Sequence, residues 1–473
     1  MKISIKKKVD KTDLLAILLT EEDVKHLKYG NLNKHIEEAT KKDFKGEKDQ
    51  VSLIYTNTDV KRILLIGLGK RAEVNDESYR KASSIAVQKT KSLKVESFSI
   101  LVEKPKETIE GILLGNYSFD KYKTDEKAKF KIKELTLISE RNMQSIISKY
   151  EIISNNVNYV RNLINDSTHT VNPLTLTEEA KKLSNLGVKV KILDESQLKK
   201  LGLNLLLAVS QGSSYPPRLI ILEYHGNNSK DKTAIVGKGI TFDSGGLNLK
   251  PTGYLETMRG DMAGAATVMG TIKTLAELKI KKNVIGVMPL CENMVDGKAY
   301  KPGDVYKSYT GKTVEIANTD CEGRLILADA LGYVSKEYKP ARIIDLATLT
   351  GAVIVALGDL CAGVMGNNDE LYSKLEQASK KTCERLWKLP MFSEYDDEIK
   401  SDIADIKNLG TSGNGRYAGP ITGAVFLKQF VNNIKWAHLD IAGTAWLDKP
   451  RYYSPKMATG FGLRLLVQFI EDL

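Results

Sequence analysis

Short apolar runs bounded by glycines and polar residues recur along this chain, and between several of them the apolar residues switch to a spacing of three and four. The first third holds Ile63-Leu64-Leu65-Ile66, which ends in Gly67-Leu68-Gly69, then a run from Ser97 to Val102 and a further segment that begins over Gly111 to Tyr117. From Tyr150 to Asn165, the residues Ile153, Val157, Val160 and Ile164 fall on one face of a helix. Farther along, strand-like runs cover Leu219 to Leu222, Ala234 to Val236, Val284 to Met288, Thr313 to Ile316 and Ile343 to Leu346. Helical patterns lie between them, as in Val268, Ile272, Leu275 and Leu278, or Leu327, Leu331 and Val334. Apolar strands alternating with helices predict an α/β fold with a mixed, largely parallel sheet flanked by helices. The polar run Asn165-Asp166-Ser167-Thr168, with Pro173 soon after, marks a break. We therefore expect an N-terminal α/β domain over 1–155, a linker helix region over 156–170 and a C-terminal α/β domain over 171–473 that carries the chemistry.

Several classes are excluded. The longest apolar stretch, Leu201 to Val209, contains Asn204 and is far shorter than the roughly 18 residues of a membrane span. Met1 to Asp10 lacks an apolar core and a small-residue cleavage site, so the chain is expected to stay in the cytoplasm. The cysteines Cys291, Cys321, Cys361 and Cys383 form no Cys-x-x-Cys pair, which fits a reducing compartment. Lys and Arg number 70 against 59 acidic residues, a net charge of +11. The lysines are spread widely, as a solvated surface requires, whereas a nucleic-acid groove needs a clustered stripe. Gly67-x-Gly69-x-x-Ala72 is a weak dinucleotide fingerprint without an acidic partner about twenty residues on, and reads as a tight turn. Gly311-Lys312-Thr313 lacks the upstream glycine of a phosphate loop, and there is neither His-Glu-x-x-His nor Gly-x-Ser-x-Gly. The five histidines are scattered.

Two polar segments interrupt the apolar second unit. The first runs Val236-Gly237-Lys238-Gly239-Ile240-Thr241-Phe242-Asp243-Ser244-Gly245-Gly246, followed by Lys250 and Arg259-Gly260-Asp261; the second is Asn318-Thr319-Asp320-Cys321-Glu322-Gly323-Arg324-Leu325. A glycine-rich loop leaving a strand at Val236 can bend polar groups towards the carboxyl ends of the strands, where open α/β sheets place ligands. Asp261 is expected to open the small-residue helix of Ala263 to Ala266, and Arg324 to precede the helix of Leu327 and Leu331. In extended chain, residues two apart share a face, so Asp320 and Glu322 point the same way. Taken singly, these are loop and helix-capping residues or a surface turn. Converging, four carboxylates repel one another, and divalent cations offset that best. Oxygen-rich ligation suits magnesium, manganese or zinc.

At these residues the chain resembles the leucyl (cytosol) aminopeptidases, the two-metal exopeptidases of peptidase family M17. The octapeptide Asn318 to Leu325 looks like the family signature, and Val236 to Pro251, Asp261 to Ala266, Asp345 to Gly351, Trp436 to Ala442 and Glu110 to Tyr117 are similar to the same family. The resemblance implies that Lys238, Asp243, Asp261 and Glu322 hold one metal and that Asp243, Asp320 and Glu322 hold the other. It further implies that Lys250 polarises the scissile carbonyl and that Arg324 holds a bicarbonate general base. Met258, Thr348, Leu349, Gly351 and Ala458 match segments that line the side-chain pocket, which implies a preference for leucine-like N-terminal residues. A metal-bound lysine must be a neutral amine, far from its free pKa near 10.4. Implied too are peptide substrates with a free N-terminus, two divalent ions per subunit (manganese or zinc, with magnesium third), an assembly or regulatory role for the first domain and a homohexamer. One departure stands out: Cys321 replaces the family's usual alanine. A DNA-binding role, as in some family members, and another metallohydrolase activity are the alternatives.

Overall fold

The computed structural model describes residues 1–125 and 129–473, and the chain divides into two compact units. The first comprises Met1–Asn158 and Asp448–Lys456. Its six-stranded sheet runs, edge to edge, Lys2–Lys6, Glu134–Ile138, Ser97–Leu101, Leu15–Thr20, Arg62–Gly69 and Val51–Tyr55, parallel throughout except for the last pair. Leu15 to Leu19 and Ile63 to Ile66 are buried without alternation, as central strands covered on both faces must be. Gly69 ends a strand, but the next α-helix, Asp76–Ser92, begins only after a capping box on Asn75. The glycines therefore do not open a helix N-terminus, as a dinucleotide fold requires. The segment from Gly111 onward is helical, forming the end of Pro105–Gly115. The periodicity of Tyr150 to Asn165 belongs to a helix that starts earlier, Gln144–Asn165.

The second unit comprises Tyr159–Leu447 and Met457–Leu473. Its main sheet has nine strands. Eight lie in the order Leu386–Lys388, Ala362–Gly366, Lys435–Asp440, Arg342–Ala347, Lys232–Gly237, Asn283–Asn293, Arg218–His225 and Lys189–Leu193, and Gly239–Asp243 pairs with the end of Asn283–Asn293. The central four strands are mutually parallel, and antiparallel pairs flank them on either side. The apolar core on one face of this sheet joins Ala234, Val236, Ile343 and Ala347 to Leu325, Leu327 and Leu331 of the helix Glu322–Glu337. The run from Thr313 lies outside the main sheet, in a three-stranded one with Val305–Lys307 and Ile406–Lys407. Among the described residues, no helix is long and apolar enough to cross a membrane.

Candidate metal centre

Three of the four parallel strands, Lys232–Gly237, Arg342–Ala347 and Lys435–Asp440, end at one level, and Asn283–Asn293 runs on beyond them beside Gly239–Asp243. Lys238 donates its N–H to the Leu346 carbonyl (3.1 Å), and Ile441 donates to Ala347 (2.8 Å), so Lys238, Thr348 and Asp440 emerge side by side. Asp243 ends its own strand opposite Asn293. The helix Ala263–Glu277 packs backbone to backbone against these ends. A Cβ on Gly264 would lie 2.3 Å from the Leu346 carbonyl oxygen, so only glycine permits the approach. Ala265 then donates to the Lys238 carbonyl (2.8 Å), which brings Asp261, two residues before the helix, beside the Lys238 side chain.

Three local expectations are corrected here. Asp261 does not open the helix; it follows the 3-10 turn Leu255–Gly260, its N–H on Met258, and Met262 stands between it and the helix. Nor do Asp320 and Glu322 share a face of extended chain. The Asn318 side chain takes the Asp320 N–H (2.7 Å) in a tight turn, and Glu322 is the first residue of the helix Glu322–Glu337, which also contains Arg324. The turn, rather than strand alternation, brings the two carboxylates together. Gly323 adds the remaining space: a Cβ there would fall 2.4 Å from Lys238 Cε, so its absence clears the route by which Lys238 reaches Glu322.

The side chains form two adjoining ion-paired sets, Lys238 with Asp261 and Glu322 and Lys250 with Asp243 and Asp320, which meet where oxygens of Asp243, Asp320 and Glu322 converge. Lys238 Nζ lies 2.8 Å from both Asp261 Oδ1 and Glu322 Oε1 and donates to the Thr348 carbonyl (2.9 Å). Lys250 Nζ pairs with Asp243 Oδ2 (2.8 Å) and with Asp320. Thr348 Oγ1 donates to Asp261 Oδ1 (2.7 Å). The Asp320 side chain is 36% exposed and that of Lys250 15%, against 5% or less for Lys238, Asp243, Asp261 and Glu322, so the centre opens at Asp320 and Lys250. Arg324 is buried and gives one guanidinium N–H to the Asn408 carbonyl (2.8 Å), while its Nε has no hydrogen-bond partner among the described residues.

Charge and burial then oppose one another. Burial and the neighbouring Glu322 raise Asp243, burial outweighs Lys238 to hold Asp261 far above the usual carboxylate range, and burial with Glu322 lifts Asp320 to about 6. For Lys238, burial disfavours the ammonium, but Asp261 and Glu322 outweigh it and hold it above the usual lysine range. Glu322 moves the other way, because Lys238 and Lys250 overcome its burial. Four carboxylates thus face two ammonium groups. Oxygens of Asp243, Asp320 and Glu322 lie within 4.8 Å of one another, and the buried Asp261 Oδ2 has no hydrogen-bond partner among the described residues. An excess of anionic oxygen with one amine is a donor set that fits divalent cations.

Sequence reasoning missed the residues that hold this set in place. Asn293 donates to Asp243 Oδ1 (2.8 Å) and to the Thr319 carbonyl (3.0 Å). The Thr319 hydroxyl donates to Gly245 (2.7 Å) and accepts the Asn248 N–H (2.8 Å), locking the two polar segments together. Asn408 binds Ala317, Asn318 and, through its carbonyl, Arg324. Only Asn293 carried a signal, as a polar residue closing a long apolar strand. Of the expected pocket residues, Thr348 joins the Lys238 set directly. Leu349 and Gly351 follow it in the chain, and Met258 accepts the Asp261 N–H on its carbonyl. Ala458 is buried and is held by Asn165 and Trp446, neither of which belongs to either ion-paired set.

A parallel-centred α/β sheet with this acidic cluster at its strand ends is the framework of a metal-dependent hydrolase. Residues 158–467 match the family model "Cytosol aminopeptidase family, catalytic domain", and residues 19–126 match that family's N-terminal domain. The chain belongs to the cytosol aminopeptidase family, and is a metallo-exopeptidase that acts on peptides and uses divalent metal. It is 45% identical over 449 residues to the probable cytosol aminopeptidase of Geobacter sp. (strain M21), covering 92% of this chain and 90% of that one. It is 43% identical over 473 residues to the probable cytosol aminopeptidase of Aquifex aeolicus (strain VF5), covering 96% and 94%. Among solved structures, the bottromycin maturation enzyme BotP in complex with Mn is similar at a TM-score of 0.87 and 28% identity, over 97% of this chain and 99% of that one.

Proposed function

We propose that this chain removes leucine-like N-terminal residues from peptides at a two-metal centre. Lys238, Asp243, Asp261 and Glu322 hold one divalent ion, and Asp243, Asp320 and Glu322 the other. The observation that carries this reading is the convergence of two ion-paired sets in which four carboxylates outnumber two lysines, with oxygens of Asp243, Asp320 and Glu322 within 4.8 Å of one another. The Mn-bound relative supports manganese, with zinc or magnesium as substitutes. When bound, the ions supply Lewis acidity and a water of lowered pKa. Lys250, the cation on the open side, donates to the scissile carbonyl oxygen and stabilises the negative charge that develops there. Arg324, with Nε free of any partner among the described residues, seats the bicarbonate that serves as general base. The net acidity of the centre favours a substrate with a free amine, and Met258, Thr348, Leu349, Gly351 and Ala458 shape the pocket for its side chain. We further place the enzyme in the cytoplasm, where its four free cysteines stay reduced. It assembles there as a homohexamer, for which exposed Ile354, Val355 and Leu360 offer apolar surface.

The test compares leucyl-p-nitroanilide with its N-acetylated analogue, using chelator-stripped protein given Mn²⁺, Zn²⁺ or Mg²⁺. Cleavage that needs both metal and free amine is expected. Equal cleavage of the two substrates, or activity indifferent to every metal, would overturn the mechanism; phosphate-ester turnover alone would favour another metallohydrolase.

A further inference from the structure

The strand Lys435–Asp440 carries a second buried polar network. Asp440, fully buried, ends the strand beside Thr348. Its Oδ1 accepts the N–H groups of Leu349 (3.1 Å) and Ala442 (3.3 Å), and its Oδ2 accepts the Thr350 hydroxyl (2.7 Å). One carboxylate thus fastens the two residues that follow Thr348, and Thr348 places its carbonyl on Lys238 and its hydroxyl on Asp261. Two residues back on the same strand, His438 is anchored by Nδ1 to Asp345 (2.5 Å), and Asp345 also takes the Trp436 indole N–H (2.6 Å). This holds the strand end rigidly in register with Arg342–Ala347, the strand from which the loop leaves.

Capping of the next helix does not account for the arrangement. The helix Gly351–Leu357 is already capped by the Thr350 hydroxyl, which takes the Val353 N–H (3.2 Å). The Asp440 Oδ1 contacts go to loop backbone instead. Loop backbone is what must be fixed if Thr348 is to hold Lys238 and Asp261 at ligand distance, and groups that orient metal ligands are worth a large share of metal affinity.

We propose that Asp440 is a positioning residue of the metal centre: by clamping Leu349 and Thr350 it sets Thr348, and through Thr348 the Lys238–Asp261 half of the site. The inference rests on the two-metal reading above. It separates the two halves, since among the described residues the side-chain partners of Asp320 are Asn318 and Lys250, neither of them part of the clamp.

The test measures Mn²⁺ binding by titration calorimetry, together with kcat and KM for a leucyl substrate, in intact protein and in D440A, D440N, T350V and T348V. Asparagine keeps an acceptor for the Leu349 and Ala442 N–H groups and turns its amide to the Thr350 oxygen, so D440N retains the clamp without the charge. D440A is expected to weaken one of the two manganese sites by roughly tenfold, the low end for an orienting group, and leave the other unchanged. D440N should recover most of that loss, and T348V should weaken the same single site. If D440A fails to fold, T350V, which removes the Oδ2 contact together with the Val353 cap at a half-buried residue, is expected to shift the same site in the same direction. Wild-type affinity at both sites in D440A, or in T350V and T348V, overturns the clamp, as does equal weakening of both sites. A wild-type protein that binds no metal and cleaves no peptide overturns the two-metal reading itself.

Discussion

Each unit contains a buried cluster in which, among the ion pairs of the described residues, carboxylates outnumber the cations they pair with, and the two are built differently. In the first unit, Arg80 is fully buried and directs Nε to Glu110 (2.7 Å), one terminal nitrogen to Glu77 (3.2 Å) and the other to Glu107 (3.6 Å). A planar guanidinium fans its partners around its own edge, and Tyr453 satisfies another Glu77 oxygen (2.9 Å). In the second unit, two compact ammonium groups leave the carboxylates converging, with oxygens of Asp243, Asp320 and Glu322 within 4.8 Å, the one such group of three among the described residues. Excess acid alone therefore does not mark a metal site. Convergence of the donor atoms does, and lysine permits it where arginine spreads the acids apart.

Substitutions can break this contrast. The largest effect is expected for Asp243→Ala or Glu322→Ala, which should abolish metal occupancy and cut kcat by at least about a hundredfold. Turnover near wild type in a folded, metal-free variant would contradict the assignment. Arg80→Met leaves three acids without their cation and should cost about 3–5 kcal/mol, the range for breaking a buried pair. Denaturant melts would register that loss, and the folded fraction should still bind manganese; if it does not, the two clusters are not independent. Arg324→Ala is expected to slow hydrolysis about a hundredfold, as for loss of a general base, while calorimetry finds both ions bound. Gly323→Ala pushes a methyl into buried Lys238 and should weaken metal binding with little change in the fold, detectable as lost occupancy at unchanged circular dichroism.

The smallest effect is a pH dependence. Asp243, Asp261 and Asp320 are held above the usual carboxylate range, Asp320 at about 6, and Lys238 above the usual lysine range. Each must lose its proton to bind metal, so protons compete with the ion and affinity rises with pH. Manganese titrations of stripped protein should therefore weaken as pH falls through about 6; affinity that stays flat from pH 5 to 8 would argue against these residues as ligands.

The sequence made the centre legible because the residues proposed for it sit in two short segments, Lys238 to Lys250 and Asp320 to Arg324, with Asp261 close behind the first. The alternation of strands and helices likewise announced a parallel-centred sheet. Asp440 and Asn408 stayed hidden because their partners are dozens of residues away and each looks ordinary in its own segment, and Asn293, though it closes an apolar strand, also has its partner fifty residues away. The paired direction of Asp320 and Glu322 was read correctly for the wrong reason, since an asparagine turn is set by one side-chain hydrogen bond that periodicity does not register. The strand from Thr313 was visible, but its sheet was not, because its partner Ile406–Lys407 is a two-residue strand with no pattern of its own.

The uneven exposure of the centre has a consequence in time as well as in space. Asp320 and Lys250 stand at a wet edge, whereas Lys238 and Asp261 are sealed behind the helix that Gly264 lets in. For a centre loaded as proposed, the ion near Asp320 can trade with solvent through that edge, while its neighbour leaves only when the wall itself opens. The two positions would then answer to different histories, the outer one to the metals present at the moment and the inner one to those present when the chain folded.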